Sequence, residues 1–275
     1  DADADADGDA DADGEVEVSD LRIVTWNVQN FPMTSGTVEA VAGIVTDLGA
    51  DLVALQEVDE PSAFPELLAA LPGYDGVLND DPGGWIRLGL VWRRSRIDVL
   101  ATDTLFPEDW YAFPRPPLYA TVQATTEEGG EPFDFVVVVL HLKASLDDES
   151  RERRQVACER LEAWVAAEVA TGPDEDVVIL GDWNDNLTDW GTHNVFGPFL
   201  DHPGSYTFLT LPLEESGEFT YIPFESFLDH ILITASVRDE YGAGETEVLG
   251  LELTVPAYLE NISDHRPVMA SFELP

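Results

Sequence analysis

Apolar residues recur along this chain with two periods. Leu21–Val28 and Asp51–Gln56 are short segments rich in Val, Ile and Leu, the pattern of buried strands. Leu88–Trp92, Leu118–Thr125, Phe133–Leu140, Val177–Leu180, Phe227–Thr234 and Val268–Phe272 repeat it. Val136–Val139 is apolar at every position, so both faces are covered and the segment belongs in the middle of a sheet. Between strands, Thr37–Leu48 sets Val38, Val41, Ile44, Val45 and Leu48 on one helical face, and Ser62–Leu71 is a second short helix. Asp148–Ala170 is the longest helix; its charged first half gives way to a stripe of Leu161, Trp164, Val165 and Val169, and Gly172 and Pro173 end it. Cys158 joins that stripe and reads as a buried thiol, because no base or helix N-terminus activates it. Strands in the majority, with a few helices between them, predict an α+β fold of two packed sheets flanked by helices.

The pattern is absent from residues 1–20. Residues 1–14 alternate Asp with Ala and Gly, which gives repelling charges and nothing to bury. The expectation is a disordered acidic tail over 1–20 and one globular domain over 21–275. The tail resembles a spacer of the kind that tethers exported domains. An extracellular or cell-surface location is therefore expected, with the cytoplasm of a halophile as the alternative.

Composition sharpens that division. The 275 residues carry 55 acidic and 13 basic side chains, a formal net charge of −42, and only 10 of the acidic residues lie in the tail. The domain itself is thus acidic. Its only Lys is Lys143, against 12 Arg. A halophile's hydration surface and a secreted protein of a GC-rich genome both fit. A single Cys excludes a disulfide scaffold, and no apolar run is long enough to span a membrane. The charge also excludes a protein that holds nucleic acid through a broad basic surface.

The candidate chemistry lies where buried strands end in polar groups. Thr25-Trp26-Asn27 follows the first strand, Gln56-Glu57 the second, and His141 the run Val136–Leu140. Gly181-Asp182-Trp183-Asn184 follows Val177–Leu180, Asp229 lies in Phe227–Thr234, and Ser263-Asp264-His265 precedes the last strand. Turns and caps use the same residue types, but so many at strand ends point to one converging rim. No nucleophile elbow, phosphate-cradling glycine loop or close His/Cys cluster is present. Carboxylate and amide oxygens suit Mg²⁺, Mn²⁺ or Ca²⁺. A hard metal with imidazoles and carboxylates is a parts list for phosphate-ester hydrolysis.

The segments LRIVTWNVQNF, DLVALQEVD, FPRPPLYATV, HLKAS, ILGDWNDN, FLDHILIT and SDHRPV, in that order, resemble the endonuclease/exonuclease/phosphatase superfamily. The resemblance runs from Leu21 to about Phe272. It implies a four-layer α/β/β/α sandwich of two mainly antiparallel sheets. It further implies that Asn27, Glu57 and Asp264 serve the metal and that Asp182 orients or activates water. Asn184 would contact the phosphate, and His265 would contact it or act as base with Asp229 as its partner. His141 would join the catalytic set, as in deoxyribonuclease-like and sphingomyelinase-like members. Arg115 would contact phosphate or, as readily, form a surface ion pair.

His230 should face away from Asp229 by strand alternation and is read as structural. His193 and His202 are read as loop residues, and Lys143 as solvated. Trp110, Tyr111 and Phe113 form an aromatic loop that either meets a substrate or packs. The leading expectation is a monomeric, metal-dependent nuclease acting on DNA or RNA. A sphingomyelinase-like phospholipase or a small-phosphoester phosphatase is the alternative, followed by a catalytically silent surface module.

Overall fold

A computed structural model describes residues 20–81, 84, 86–125, 132–172, 174–238 and 244–274. Residues 1–19, nearly all of the expected tail, and Pro173 lie outside the described residues. The strands are β1 (Leu21–Phe31), β2 (Leu52–Val58), β3 (Tyr74–Leu78), β4 (Arg87–Arg93), β5 (Ile97–Thr104) and β6 (Leu118–Ala124), followed by β7 (Phe133–His141), β8 (Val177–Asp182), β9 (Tyr206–Phe208), β10 (Asp229–Thr234), β11 (Thr246–Val248) and β12 (Val268–Phe272). The main helices are α1 (Thr37–Leu48), α2 (Phe64–Ala70) and α3 (Asp148–Thr171).

Two six-stranded sheets result, in the orders β11-β12-β1-β2-β4-β3 and β5-β6-β7-β8-β10-β9. Among the described residues only β1·β2 and β7·β8 are parallel, so both sheets are mainly antiparallel. Strand alternation builds the layers. Ile23, Leu52, Ala54 and Leu90 of the first sheet meet Val122, Val137, Val139 and Leu180 of the second in a core between the sheets. Their neighbours Val24, Trp26, Val53 and Leu55 point the other way, onto Val41 and Val45 of α1 and Leu67 of α2. On the far side, Val136, Val138, Leu140 and Ile179 cover Cys158, Leu161 and Val165 of α3. Helix, sheet, sheet and helix make the expected four-layer sandwich. Each fully buried Val, Leu or Ile contributes about 1.5–3 kcal/mol.

Val136–Val139 is central, third of six in its sheet. Four strands had no sequence expectation: β3, β5, β9 and β11. β5 and β9 are edges of their sheet, and β3 and β11 are edges of the other. β5 is largely exposed, and β9 and β11 are only three residues long. Edge strands need no apolar face, so periodicity does not reveal them. On α3 the expected stripe is buried at Leu161 and Val165, packs on the core at Trp164 and turns outward only at its end, with Val169 40% exposed; the buried face also begins earlier, with Ser150, Arg154, Ala157 and Cys158. Cys158 is buried in that face, and burial pushes its thiol far up.

Candidate active site

The ends of β7, β8 and β10 lie side by side, so His141 is opposite Asp182 and Asp182 is opposite Asp229 in one row. Gly181 makes this row possible. Its φ of 151° is open to glycine, and a Cβ there would clash with the Leu140 carbonyl oxygen. Across the gap between the sheets, β1 supplies Asn27, whose Nδ2 donates to Asp182 Oδ2 at 3.0 Å and to Glu57 Oε1 at 3.2 Å. Asn27 Oδ1 accepts the Gln29 amide at 2.9 Å, so the side chain presents its donor side to the carboxylates. Glu57 Oε2 also accepts the Asn30 N–H at 3.0 Å. Glu57 has φ 64°, a strained conformation for a residue of this type.

His265 closes the arrangement from the segment before β12. Its Nδ1 and Asp229 Oδ2 are 2.7 Å apart, with 5% of His265 and none of Asp229 exposed. Ser263 Oγ accepts the His265 amide at 2.9 Å and donates to the Asn27 carbonyl at 2.6 Å, joining this segment to β1. Tyr258 donates to the His265 carbonyl at 2.5 Å and receives Trp26 Nε1–H at 3.0 Å. The ring of Tyr221 lies 4.9 Å from that of His265. Trp26, Tyr221, Tyr258 and Ser263 are supports that the strand-end pattern did not single out, although Trp26 and Ser263 sit inside two of its motifs.

Burial opposes charge on the His265 imidazole, but Asp229, then Asp182 and Asp264, outweigh it and raise the value to about 10. Asp182 is pushed up to about 7, by burial first and by the Asp229 carboxylate next. Burial also raises Asp264, whose Oδ1 lies 3.9 Å from His265 Nε2. His141 is 2% exposed, with Nε2 3.4 Å from Asp182 Oδ2. Burial, then Arg115 and His265, lower it well below its ordinary value, so it is neutral. Its Nδ1 has no partner among the described residues.

A cavity of about 670 Å³ opens over these groups. Glu57, His141, Asp182, Asn184, Asp264 and His265 line it; Asn27 and Asp229 stand behind them. Asn184 has φ 57° and donates Nδ2 to the Leu142 carbonyl at 3.2 Å. Arg115 is not on the wall: its Nη1 donates to the same Leu142 carbonyl at 3.0 Å. Among the described residues no Lys or Arg lines the cavity, while Leu146 and Phe224 at its mouth are 93% and 78% exposed. These two rim residues carried no sequence signal, because exposed apolar side chains are common.

The donor set suits a hard divalent cation. Glu57, Asp182 and Asp264 bring carboxylate oxygens to the same cavity lining, and burial first, with neighbouring carboxylates adding to it, raises Asp182 and Asp264. Asp182, Asp229 and His265 also bring ligand atoms within 4.8 Å of one another, although the Asp229–His265 hydrogen bond already engages part of that set.

His230 does point away from Asp229. It is enclosed by Phe227, Phe196 and Phe208, with Thr210 Oγ1 at 3.1 Å and the Asp185 carbonyl at 2.9 Å. The loop of Trp110, Tyr111 and Phe113 is packed rather than free. Phe113 is buried, and Arg153 lies over both other rings while donating to their carbonyls, although Trp110 remains 72% exposed. Lys143 donates to the Ala144 carbonyl. No helix among the described residues is long and apolar enough to cross a membrane.

The family model described as "Endonuclease/Exonuclease/phosphatase family" matches residues 24–265. Among curated proteins no sequence matches. An endonuclease/exonuclease/phosphatase from Bacteroides vulgatus is similar in structure, with a TM-score of 0.67 and 20% identity over 94% of this chain and 100% of that one. D. rerio TDP2, complexed with single strand DNA product, has a TM-score of 0.66 and 17% identity over 92% and 99% of the two chains. The mannosyl-6-phosphatase of Bacteroides thetaiotaomicron has a TM-score of 0.63 and 18% identity over 92% and 99%. These three likenesses establish a shared fold.

Proposed function

Because the chain belongs to the endonuclease/exonuclease/phosphatase family, whose members are metal-dependent phosphoester hydrolases, we propose that it hydrolyses a phosphodiester and that the bond lies in a nucleic-acid strand. The observation that carries the reading is the row His141–Asp182–Asp229 on one sheet, tied to Asn27 and His265 from the other. Five side chains from two sheets converge, and each has a use in phosphoryl chemistry.

Glu57 and Asp264 would hold the divalent cation, with Asn27 fixing the Glu57 carboxylate. When bound, the cation would neutralise charge that develops on the phosphate oxygens. Asp182, poised at about 7, takes a proton from the attacking water. His265 is held as imidazolium by Asp229, so it has no lone pair to act as base. It faces the phosphate through Nε2, stabilises the negative charge and protonates the leaving oxygen as the P–O bond breaks. His141 and Asn184 donate hydrogen bonds to the phosphate oxygens. Arg115 lies behind His141 and acts on the phosphate only through its field.

A second reading is a substrate with a single phosphate on a neutral or apolar group. It is favoured by the cavity wall, which carries no Lys or Arg among the described residues and has Leu146 and Phe224 at its mouth. A nuclease that grips several phosphates uses several cations; this one works at one phosphate at a time.

The test is cleavage of plasmid DNA, RNA, sphingomyelin and bis(p-nitrophenyl) phosphate with Mg²⁺, Mn²⁺, Ca²⁺ or EDTA, over a range of KCl. Metal-dependent cleavage of DNA or RNA is expected. Intact nucleic acid in every metal, alongside cleavage of one of the other esters, would replace the nuclease reading with the second.

A further inference from the structure

Arg154 is a charged residue on the apolar face of α3, and only 2% of it is exposed. A buried guanidinium must have its donors satisfied. Nε donates to Asp185 Oδ2 at 2.8 Å, and Nη1 donates to the carbonyls of Lys143 and Ser145, each at 2.8 Å. Lys143 and Ser145 lie in the loop that leaves β7 after His141. Asp185 lies in the loop that leaves β8 after Asp182. One side chain therefore fastens together the exits of two adjacent parallel strands.

Both loops carry strained backbone beside these bonds. Ser145 has φ 94° and Asn184 has φ 57°. Such residues cost about 1–3 kcal/mol each and persist where their surroundings over-determine them. The Ser145 carbonyl is itself an acceptor of Arg154, and Asn184 directly precedes Asp185. Ser145 and Asn184 both line the cavity. Satisfying stray carbonyls would explain a contact to one loop. It does not explain one rigid fork that spans both, with a strained wall residue at each end. Lys, a point charge on a flexible stem, cannot reproduce those three bonds.

We infer that Arg154 is a positioning residue: it sets the separation of the two loops and thereby aims Asn184 at the reacting phosphate. The inference rests on the phosphoester-hydrolase reading of the same site.

The test compares wild type, Arg154→Lys, Asn184→Ala and the double variant on bis(p-nitrophenyl) phosphate with Mn²⁺, together with hydrogen exchange of residues 143–146 and 184–187. Arg154→Lys should lower kcat about tenfold or more, with KM within about threefold, because misplacing a transition-state contact costs rate before affinity. In the Arg154→Lys background, Asn184→Ala should then cost less than about a third of its fold-effect in wild type, since both changes remove one contact. Exchange should rise in both loops together. Fold-effects that multiply, or exchange that rises in one loop only, overturn the inference. If Arg154→Lys does not fold, Asp185→Ala takes its place under the same criteria, since it removes the side-chain acceptor of Nε and leaves the carbonyl bonds. If wild type hydrolyses no phosphoester in any metal, the function reading has failed. The exchange data then decide the clamp alone: a joint rise upholds it and no change overturns it.

Discussion

Asp229 and His230 are neighbours in β10, but they look into two different interiors. On the Asp229 side, His265 is buried against a carboxylate, with two more carboxylates near, and is raised to about 10. On the other side, His230 is as deeply buried among three Phe rings and a hydroxyl. Burial lowers it to about 4, against smaller opposing effects of the Asp185 carbonyl and Asp229. Burial opposes charge in both. The partner decides the outcome: a carboxylate in contact makes a permanent cation, while neutral hydrogen-bond partners leave a permanent neutral ring. One face of the strand is therefore built for charge and the other for packing. Damage to the first should cost rate, and damage to the second stability.

Asp182→Ala should break the charged side most. Loss of the group that takes the water's proton should lower kcat about 10³-fold or more, with the melting temperature unchanged or raised because a crowded buried carboxylate is gone. A variant that keeps wild-type rate would remove Asp182 from the site. Asp229→Asn is milder. It keeps the hydrogen bond to His265 but removes the charge that holds the proton, so kcat should drop by roughly 10²-fold. An NMR titration should find His265 moved down from about 10 towards its ordinary value.

The packing side should respond in the other currency. His230→Phe leaves the Thr210 hydroxyl and Asp185 carbonyl without their partner. That should cost about 3 kcal/mol, a melting decrease of roughly 5–10 °C, while kcat of the folded protein changes less than about tenfold. A larger loss of rate than of stability would erase the distinction between the two faces.

The sharpest comparison is the sign of the pH dependence. His230 has its folded value at about 4, below the 6.5 of an unfolded chain. The unfolded state binds the extra proton, so His230 stabilises fully above 6.5, and that contribution is lost as pH falls towards 4. The loss approaches about 3 kcal/mol for this single group. His265 is opposite: its folded value is raised, so its contribution is complete below 6.5 and is lost as pH rises towards about 10. Urea midpoints in EDTA, taken as wild type minus His230→Phe and wild type minus His265→Gln, should slope in opposite directions. Parallel slopes would overturn the two protonation states.

The strands that carry this contrast were legible, because interior strands must be apolar on both faces. Val136–Leu140 announces itself by composition, and the polar residue that ends it, His141, stands out against it. The edge strand Ile97–Thr104 has no such constraint and could not be read. The pairing of His265 with Asp229 spans 36 residues, and the sequence supplied it only through resemblance. Arg154 was written in the chain four residues before Cys158 on the α3 stripe. A charge among apolar positions reads as an error in the pattern until its three acceptors are seen. The left-handed backbone of Glu57 has no sequence signature, since Glu is not a residue that seeks it.

The ordering of strands in the first sheet sets a time as well as a place. β1 is flanked by β2, which carries Glu57, and by β12, which comes after His265. During synthesis the chain delivers Asn27 and Glu57 early, and they wait for a partner strand more than two hundred residues away. No nascent fragment that stops before His265 holds the complete constellation. A ribosome producing this hydrolase is handling an unarmed polypeptide until almost the entire domain has been translated.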